Sequence, residues 1–247
     1  SSAASDVYKR QILRDMIRQT VYAVSENTAK PIYTGSLYEI EDGVFKIIAI
    51  DGYRMAIRSE NVDSESKNRF VVPGKTQHEV LKLLTDDEEN TEIIIGQRHI
   101  TFKIKNYRII SRLIEGTFIE YKSAIPKETK TEVVINTRTI IDAVERMSLL
   151  NNDRIQSPVR CIFSDDEIKL SCTSAVGRAN DVISVPIIGE SVEIGFNNRY
   201  LLDALKNADT DEIKLILNGS LTAMIVKPVK GDSYLSIVVP MRLANEN

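Results

Sequence analysis

The chain has 247 residues, of which 43% are hydrophobic and 27% charged, and this composition is typical of one large or two ordinary globular domains. A formal net charge of −3 excludes a protein coated in basic residues, but it does not say where the 32 Lys and Arg lie. No apolar run approaches the roughly 20 residues of a membrane span, and the start lacks a signal-peptide pattern. Cys161 and Cys172 have no CxxC spacing, so we interpret them as free thiols of a cytoplasmic protein.

The first half of the chain predicts a mixed α+β domain. Residues 1–11 (SSAASDVYKRQ) lack periodicity and resemble a cloning or sequencing scar, so we expect them to lie outside the fold and a natural N-terminal part to be missing. Residues 12–24 carry an apolar stripe at helical spacing. The stretch SLYEIE, the turn Asp42-Gly43 and VFKIIAI predict a hairpin. A strand (RFVVP), a helix (TQHEVLKLL) and three strands (TEIIIG, HITFKIK, YRIISRLI) follow.

The second half repeats this order. It predicts a helix (TIIDAVERMSLL), a hairpin around Asp165-Asp166, the strand VEIGF, the helix NRYLLDALK and three further strands. Offsets of 122 to 123 residues pair Val72 with Ile194 and Lys46 with Lys169. A repeat of this length indicates two copies of one domain, at 12–125 and 126–247, separated by the polar stretch SAIPKETK. Each copy would consist of two βαβββ-like halves, with antiparallel sheets outside and two helices on one side.

Three stretches resemble a known family. Residues 30–56 (KPIYTGSLYEIEDGVFKIIAIDGYRMA), residues 192–206 (VEIGFNNRYLLDALK) and the ending VVPMRL are similar to the bacterial DNA polymerase processivity clamps, the beta sliding clamps. The resemblance implies the DNA-clamp fold, with three such domains per subunit and two subunits closing head to tail into a homodimer ring around duplex DNA. This chain would hold the second and third domains. It would be a non-catalytic processivity subunit without a cofactor.

The resemblance also implies a use for the apolar, proline-interrupted ending YLSIVVPMRL. In such clamps a pocket between the second and third domains takes short peptide motifs of QLxLF type. These belong to the replicative polymerase alpha subunit, the clamp loader and repair polymerases. The corresponding second-domain wall is Lys30, Tyr33, Ile50, Gly52, Tyr53, Arg54, Met55, Ile119 and Ala124. The corresponding third-domain wall is Asn197, Tyr200, Ala223, Ile237, Val239, Pro240, Met241 and Arg242.

The residue types suit such a pocket, although each has a simpler interpretation. Methionines such as Met55 and Met241 repack around different partners, and Arg54 can bind a carbonyl or a carboxylate. Read without the resemblance, Met55 and Val239 are plain core residues, and Tyr53-Arg54 is an ordinary exposed strand end. At the rim, Ile119 and Ser123 replace the proline and the basic residue that are common in the family.

Basic residues on the four predicted helices would face double-stranded DNA and contact its phosphates without reading sequence. Ordinary solvated helix faces remain the alternative for each of them. Leu149 and Leu150 match subunit-interface positions in the family, or else they are the C-terminal core contact of their helix. The DNA-facing candidates are Arg14, Arg18, Lys75, Lys82, Arg138, Arg146, Arg199 and Lys206.

Enzyme motifs are incomplete. Pro73-Gly74-Lys75-Thr76 resembles the end of a phosphate-binding loop, but Arg69 occupies the position of the first glycine. His78 and His99 have no Cys or His at metal-ligand spacing, and no Ser/His/Asp set can be assembled. We therefore assign no catalytic and no metal-binding residues. A peptide-binding adaptor without a DNA role is the alternative function.

Overall fold

The computed structural model describes residues 4–151 and 157–243, which form two compact units, Ser1–Ile119 and Glu120–Asn247. The division lies N-terminal of the boundary expected at 125/126, so Ala124 belongs to the second unit. Within the described residues, no helix is long and apolar enough to cross a membrane.

Unit 1 consists of two antiparallel strand sets and two helices. One set has the order β1-β6-β7-β8, and the other runs β4-β3-β2-β5. Asp42 and Gly43, at φ 52° and 72°, close the β2–β3 hairpin as predicted. A short 3₁₀ helix covers Pro31–Thr34. The elements are β1 (Ala4–Lys9), α1 (Arg10–Val21), β2 (Gly35–Glu41), β3 (Val44–Ile50), β4 (Arg54–Asn61), β5 (Asn68–Pro73), α2 (Gly74–Leu83), β6 (Asn90–Ile95), β7 (His99–Ile104) and β8 (Tyr107–Arg112).

Unit 2 repeats this order with the added strand β13. Its strand sets are β12-β11-β10-β14 and β13-β9-β15-β16-β17. Asp165 and Asp166, at φ 54° and 55°, close the β10–β11 hairpin. A second 3₁₀ helix covers Tyr121–Ala124. The elements are β9 (Thr131–Asn136), α3 (Thr137–Ser148), β10 (Val159–Ser164), β11 (Glu167–Ser174), β12 (Gly177–Ser184), β13 (Ile187–Gly189), β14 (Val192–Phe196), α4 (Asn198–Asn207), β15 (Glu212–Leu217), β16 (Met224–Pro228) and β17 (Tyr234–Val238).

The predicted internal repeat is confirmed in element order and corrected in register. Apart from the added strand β13, each unit contains the element order βαβββ twice. Counted from the two hairpin turns, Ser36 corresponds to Val159, and their partners on the neighbouring strands are Val72 and Phe196. The predicted pairing of Val72 with Ile194 is therefore wrong by two residues, because Val72 and its counterpart Phe196 are 124 residues apart and not 122.

The N-terminal residues take part in the fold. Residues 4–9 form β1 and pair with β6, and Arg10 and Gln11 open helix α1. The Tyr8 side chain is 5% exposed, and its ring centroid lies 4.9 Å from that of Phe45. The expectation that residues 1–11 lie outside the fold is thus wrong for residues 4–11, because β6 offers a strand edge and Tyr8 fills the core. Residues 1–3 lie outside the described part, and the non-native origin of the segment stays a prediction.

Each unit has its own apolar core between its helices and its strands. In unit 1, α1 contributes the fully buried Leu13, Met16 and Ile17. In unit 2, α3 and α4 pack against the two strand sets around the buried Cys161 and Cys172. Both thiols are free, and burial raises the pKa of Cys161 to about 12. These cysteines therefore behave as small apolar core residues.

Candidate peptide-binding and DNA-facing residues

The unit 1 candidates centre on the turn between β3 and β4. Asp51 Oδ1 accepts hydrogen bonds from the backbone N–H groups of Tyr53, at 2.9 Å, and Arg54, at 3.0 Å. This Asx turn places Gly52 at φ 96°, where a side chain would be strained, and leaves Tyr53 61% exposed. The Gly52-Tyr53 corner therefore presents backbone and an aromatic ring to solvent.

Arg54 is held inside unit 1. Its Nε donates to Asp51 Oδ2 at 2.9 Å, and its guanidinium lies 5.5 Å from the centroid of the Tyr22 ring. The side chain is only 7% exposed, unlike the exposed strand end that the sequence allowed. The ion pair with Asp51 and the contact with the Tyr22 ring hold Arg54 in place, and Arg54 in turn positions the Gly52-Tyr53 corner. Sequence reasoning missed Asp51, although its Asp-Gly dipeptide is a turn signal.

The remaining unit 1 candidates divide between surface and interior. Ile50 and Met55 lie opposite one another on β3 and β4, and both are buried. Tyr33 is half-buried, with its ring edge-on to that of Phe118 at 5.8 Å, while Lys30 and Ile119 are exposed. Burial of Met55 agrees with its simpler interpretation as a core residue, so the accessible apolar area of this wall comes from Tyr33, Tyr53 and Ile119.

In unit 2 residues 239–243, called the tail below, fold back onto β14. The Met241 N–H donates to the Gly195 carbonyl oxygen at 2.8 Å, which forms an isolated antiparallel bridge. A Cβ on residue 195 would lie 2.6 Å from Leu243 Cδ2 and 3.0 Å from the Met241 carbonyl oxygen, so glycine gives the tail the close approach it has there. Val239 is left 40% exposed, and Pro240 ends the β17 ladder. The proline-interrupted ending is therefore a second, short strand contact instead of a frayed end.

Helix α4 supplies the other side of the unit 2 candidates. Asn197 is its N-cap, and its Oδ1 accepts from the Tyr200 N–H at 3.1 Å. Asn197, Tyr200 and Met241 line one cavity. Ile237 is buried opposite Ile225, Ala223 is half-buried just before β16, and Arg242 is exposed.

The DNA-facing candidates are mostly ion-paired within their own units. Such exposed pairs contribute only about 0–1 kcal/mol, so a phosphate can replace the carboxylate at little cost. The Lys206 ammonium lowers the pKa of the Glu145 carboxyl below its ordinary value. Lys75 and Arg199 are exposed. The pairs are Arg14–Asp86 (4.0 Å), Arg18–Asp15 (3.5 Å), Lys82–Glu79 (2.7 Å), Arg138–Asp142 (2.8 Å), Arg146–Asp181 (2.8 Å from Nε) and Lys206–Glu145 (2.6 Å).

The two interface candidates behave differently. Leu149, the C-cap of α3, is 82% exposed, whereas Leu150 packs against the unit 2 core. The core-contact interpretation therefore holds for Leu150 and not for Leu149. Val176, before the edge strand β12, is exposed as well. Among the described residues, no group of three or more His, Cys, Asp or Glu is placed to hold a metal ion.

Known families cover both units. Residues 8–120 match the DNA polymerase III beta subunit, central domain, and residues 122–242 match its C-terminal domain. The chain is 32% identical over 240 residues to the beta sliding clamp of Halalkalibacterium halodurans, covering 94% of this chain and 63% of that protein. It is 31% identical over 236 residues to the beta sliding clamp of Bacillus subtilis, covering 94% and 62%. The chain thus spans less than two thirds of these relatives.

Solved structures agree. The Bacillus subtilis DNA polymerase sliding clamp matches with a TM-score of 0.94 at 30% identity, over 98% of this chain and 65% of that one. A putative DNA polymerase III beta subunit from Eubacterium rectale gives 0.93 at 29% identity, over 98% and 66%. These matches confirm the predicted α+β, DNA-clamp fold. The chain belongs to the DNA polymerase III beta subunit family, the beta sliding clamps, and carries the central and C-terminal domains of that family.

Proposed function

We propose that this protein acts as part of a sliding clamp, which encircles duplex DNA and tethers the replicative polymerase for processive replication. It works in the cytoplasm as a non-catalytic subunit. The polymerase alpha subunit, the clamp loader and repair polymerases dock on it through short apolar-ended peptides. Two subunits of the clamp close into a homodimer ring.

The observation that carries the peptide-docking role is the tail folded back on β14. The Met241–Gly195 bridge holds Val239 and Pro240 at the surface and brings Met241 beside Asn197 and Tyr200 of α4. Apolar side chains of a partner gain about 25 cal/mol for each Å² buried on such a surface. Unit 1 adds the exposed Gly52-Tyr53 corner, whose backbone a peptide can approach closely.

Moving the tail without changing any tail residue tests this role. In Gly195→Val the new side chain meets Leu243 and the Met241 carbonyl oxygen, so we expect it to displace the tail from β14. Loss of one or two buried apolar contacts predicts a fall in affinity of roughly tenfold to a hundredfold for a QLxLF-type peptide, measured by calorimetry. Deleting Pro240–Asn247 should abolish binding with the fold largely intact; residues 244–247 lie outside the described part.

The control is Ile188→Ala, which truncates a 69% exposed side chain on β13, at the edge of its strand set opposite β17. It should bind the peptide as the parent does. Unchanged affinity in both Gly195→Val and the deletion would refute the assignment of the tail as a peptide-binding wall.

The DNA role is supported by the basic residues on the four helices and by their weak, replaceable ion pairs. A closed ring holds DNA by topology, so its direct phosphate contacts can be weak and independent of sequence. The adaptor alternative predicts no salt-dependent DNA affinity at all.

A further inference from the structure

A cavity of about 340 Å³ lies in unit 2 between the C-terminal end of α3 and helix α4. This volume is at the lower end of ligand pockets, which run from about 300 to 1,000 Å³, so it holds one or two side chains and not a large cofactor. Ser148 of α3 and Asn151 border it on one side, and α4 borders it on the other. Its lining is mostly polar.

The lining of the cavity includes residues from two sets of candidates that were predicted from the sequence to form separate sites. Asn197, Tyr200 and Met241 belong to the peptide-binding candidates, and Arg199 and Lys206 belong to the DNA-facing candidates. The peptide wall therefore does not stop at the apolar residues, because it continues without a break into a basic surface along α4.

The charged side chains that line the cavity indicate which kind of ligand it binds. Arg199 and Lys206 are seven residues apart on one face of α4, with Asp203 between them as the acidic lining residue. The Lys206 ammonium is 2.6 Å from Glu145, but both side chains are close to half exposed, at 48% and 40%, so this pair exchanges readily. Arg199 also lies in the first turn of α4, where the helix dipole favours an anion.

We infer that this cavity is a polar extension of the peptide site and binds a side-chain carboxylate of the partner, an Asp or Glu that flanks the apolar motif. The inference rests on the proposed peptide-docking function. An arginine can hold a carboxylate through two parallel N–H donors, which gives the contact direction as well as charge. The partner peptide would thus be recognised by an apolar end and by an acidic residue beside it.

The test is a calorimetric comparison of two peptides on the full chain. Both carry the same apolar motif, and one has Glu where the other has Gln at a flanking position, scanned one to three residues before and after the motif. On the parent chain, one flanking position should give the Glu peptide about threefold to tenfold higher affinity, since a partly exposed charge-assisted hydrogen bond is worth roughly 1 kcal/mol. That preference should shrink as salt increases.

The variants Arg199→Gln and Lys206→Gln locate the carboxylate. In at least one of them the preference for Glu should vanish, because the Glu peptide loses more affinity than the Gln peptide does. Lys214→Gln is the matched control, because Lys214 lies on β15 and pairs with Glu132 outside the cavity. It removes the same charge from unit 2 and should leave the preference intact.

The remaining outcomes separate the two proposals. A Glu preference that persists in both variants, or that is absent from the parent at every position, overturns the inference and leaves peptide docking standing. If the variants weaken duplex binding and the preference stays, the cavity cations serve the DNA backbone instead, and the inference is overturned. Binding of neither peptide overturns both.

Discussion

The C-terminal end of the first helix differs between the two units. In unit 1 a side chain covers this helix end, which we call the closed corner; in unit 2 the corresponding helix end is exposed, and we call it the open corner. Tyr22 caps the C-terminal end of α1, and the guanidinium of Arg54, the first residue of β4, covers its ring at 5.5 Å. At the equivalent place Leu149 caps α3 and is 82% exposed, and the position of Arg54 is taken by Gly177, the first residue of β12. The same fold therefore has a closed corner in unit 1 and an exposed leucine at the corresponding corner of unit 2.

The open corner has the features of an association surface. Leu149 is exposed, and so is Val176 just before the edge strand β12; an edge strand is a place where another chain can pair. The subunit-interface role that the family resemblance implies for Leu149 stays a prediction, and Leu150 is a packing residue. The two copies thus share the same order of helices and strands, and they differ at this corner in their side chains.

The largest expected effect concerns β1, the unit 1 counterpart of β9. Tyr8→Ala leaves a cavity beside Phe45, and loss of a buried aromatic ring costs roughly 4 kcal/mol of the free energy of unfolding, measured by urea denaturation. Tyr8→Phe is the matched control. Its hydroxyl has no hydrogen-bond partner among the described residues, so its removal should be neutral or slightly stabilising. If Tyr8→Ala changed the free energy of unfolding only slightly, the first 11 residues would not contribute to the stability of the fold.

Opening the closed corner should cost somewhat less. Arg54→Ala strands the Asp51 carboxylate, which is 10% exposed, and uncovers Tyr22, so we expect a loss of roughly 3 kcal/mol in the same assay. Arg54→Lys keeps the charge but not the planar stacking, and it should fall between the parent and Arg54→Ala. Equal stability of all three proteins would show that the Arg54–Tyr22 contact does not close the corner.

The smallest stability effect is expected at the open corner. Leu149→Ala should change the free energy of unfolding by less than about 0.5 kcal/mol, whereas Leu150→Ala, at the core edge, should cost about 1–2 kcal/mol. In sedimentation we expect residues 1–247 to be a monomer or weak oligomer at low micromolar concentration, since the exposed apolar side chains of Leu149 and Val176 form a small surface for association. Any self-association should weaken in Leu149→Glu. A stable closed dimer would contradict this account.

Sequence periodicity predicted most elements, because helices such as α3 and hairpins such as β2–β3 carry strong local signals. Two strands were missed for different reasons: β12 (GRANDVIS) has few apolar residues and is defined by its partner β11, whereas β9 carries the strand signal Val133-Val134-Ile135, which the prediction left out. The candidate site divides in the same way. Residue types and the resemblance selected Tyr53 and Met241, but the Asp51 cap and the Met241–Gly195 bridge depend on tertiary contacts that no spacing encodes.

The most direct test of the clamp assignment is the salt dependence of binding to duplex DNA. We expect sequence-independent binding of roughly 10⁻⁴ M or weaker near physiological salt, falling steeply as salt rises. Replacing four helix arginines with alanine should weaken binding and reduce the log–log slope by up to about 3.6, since each lost phosphate contact removes about 0.9. The four are Arg14, Arg18, Arg138 and Arg146.

A control variant removes the same charge away from the helices. Its four substitutions to alanine are at Lys67, Arg69, Lys169 and Lys214, which lie on strands or just before one. The account predicts that this control keeps nearly the parental slope while the helix variant does not. Equal slopes in the helix variant and the parent, or sequence-selective binding in the nanomolar range, would contradict the assignment of the helix faces to DNA.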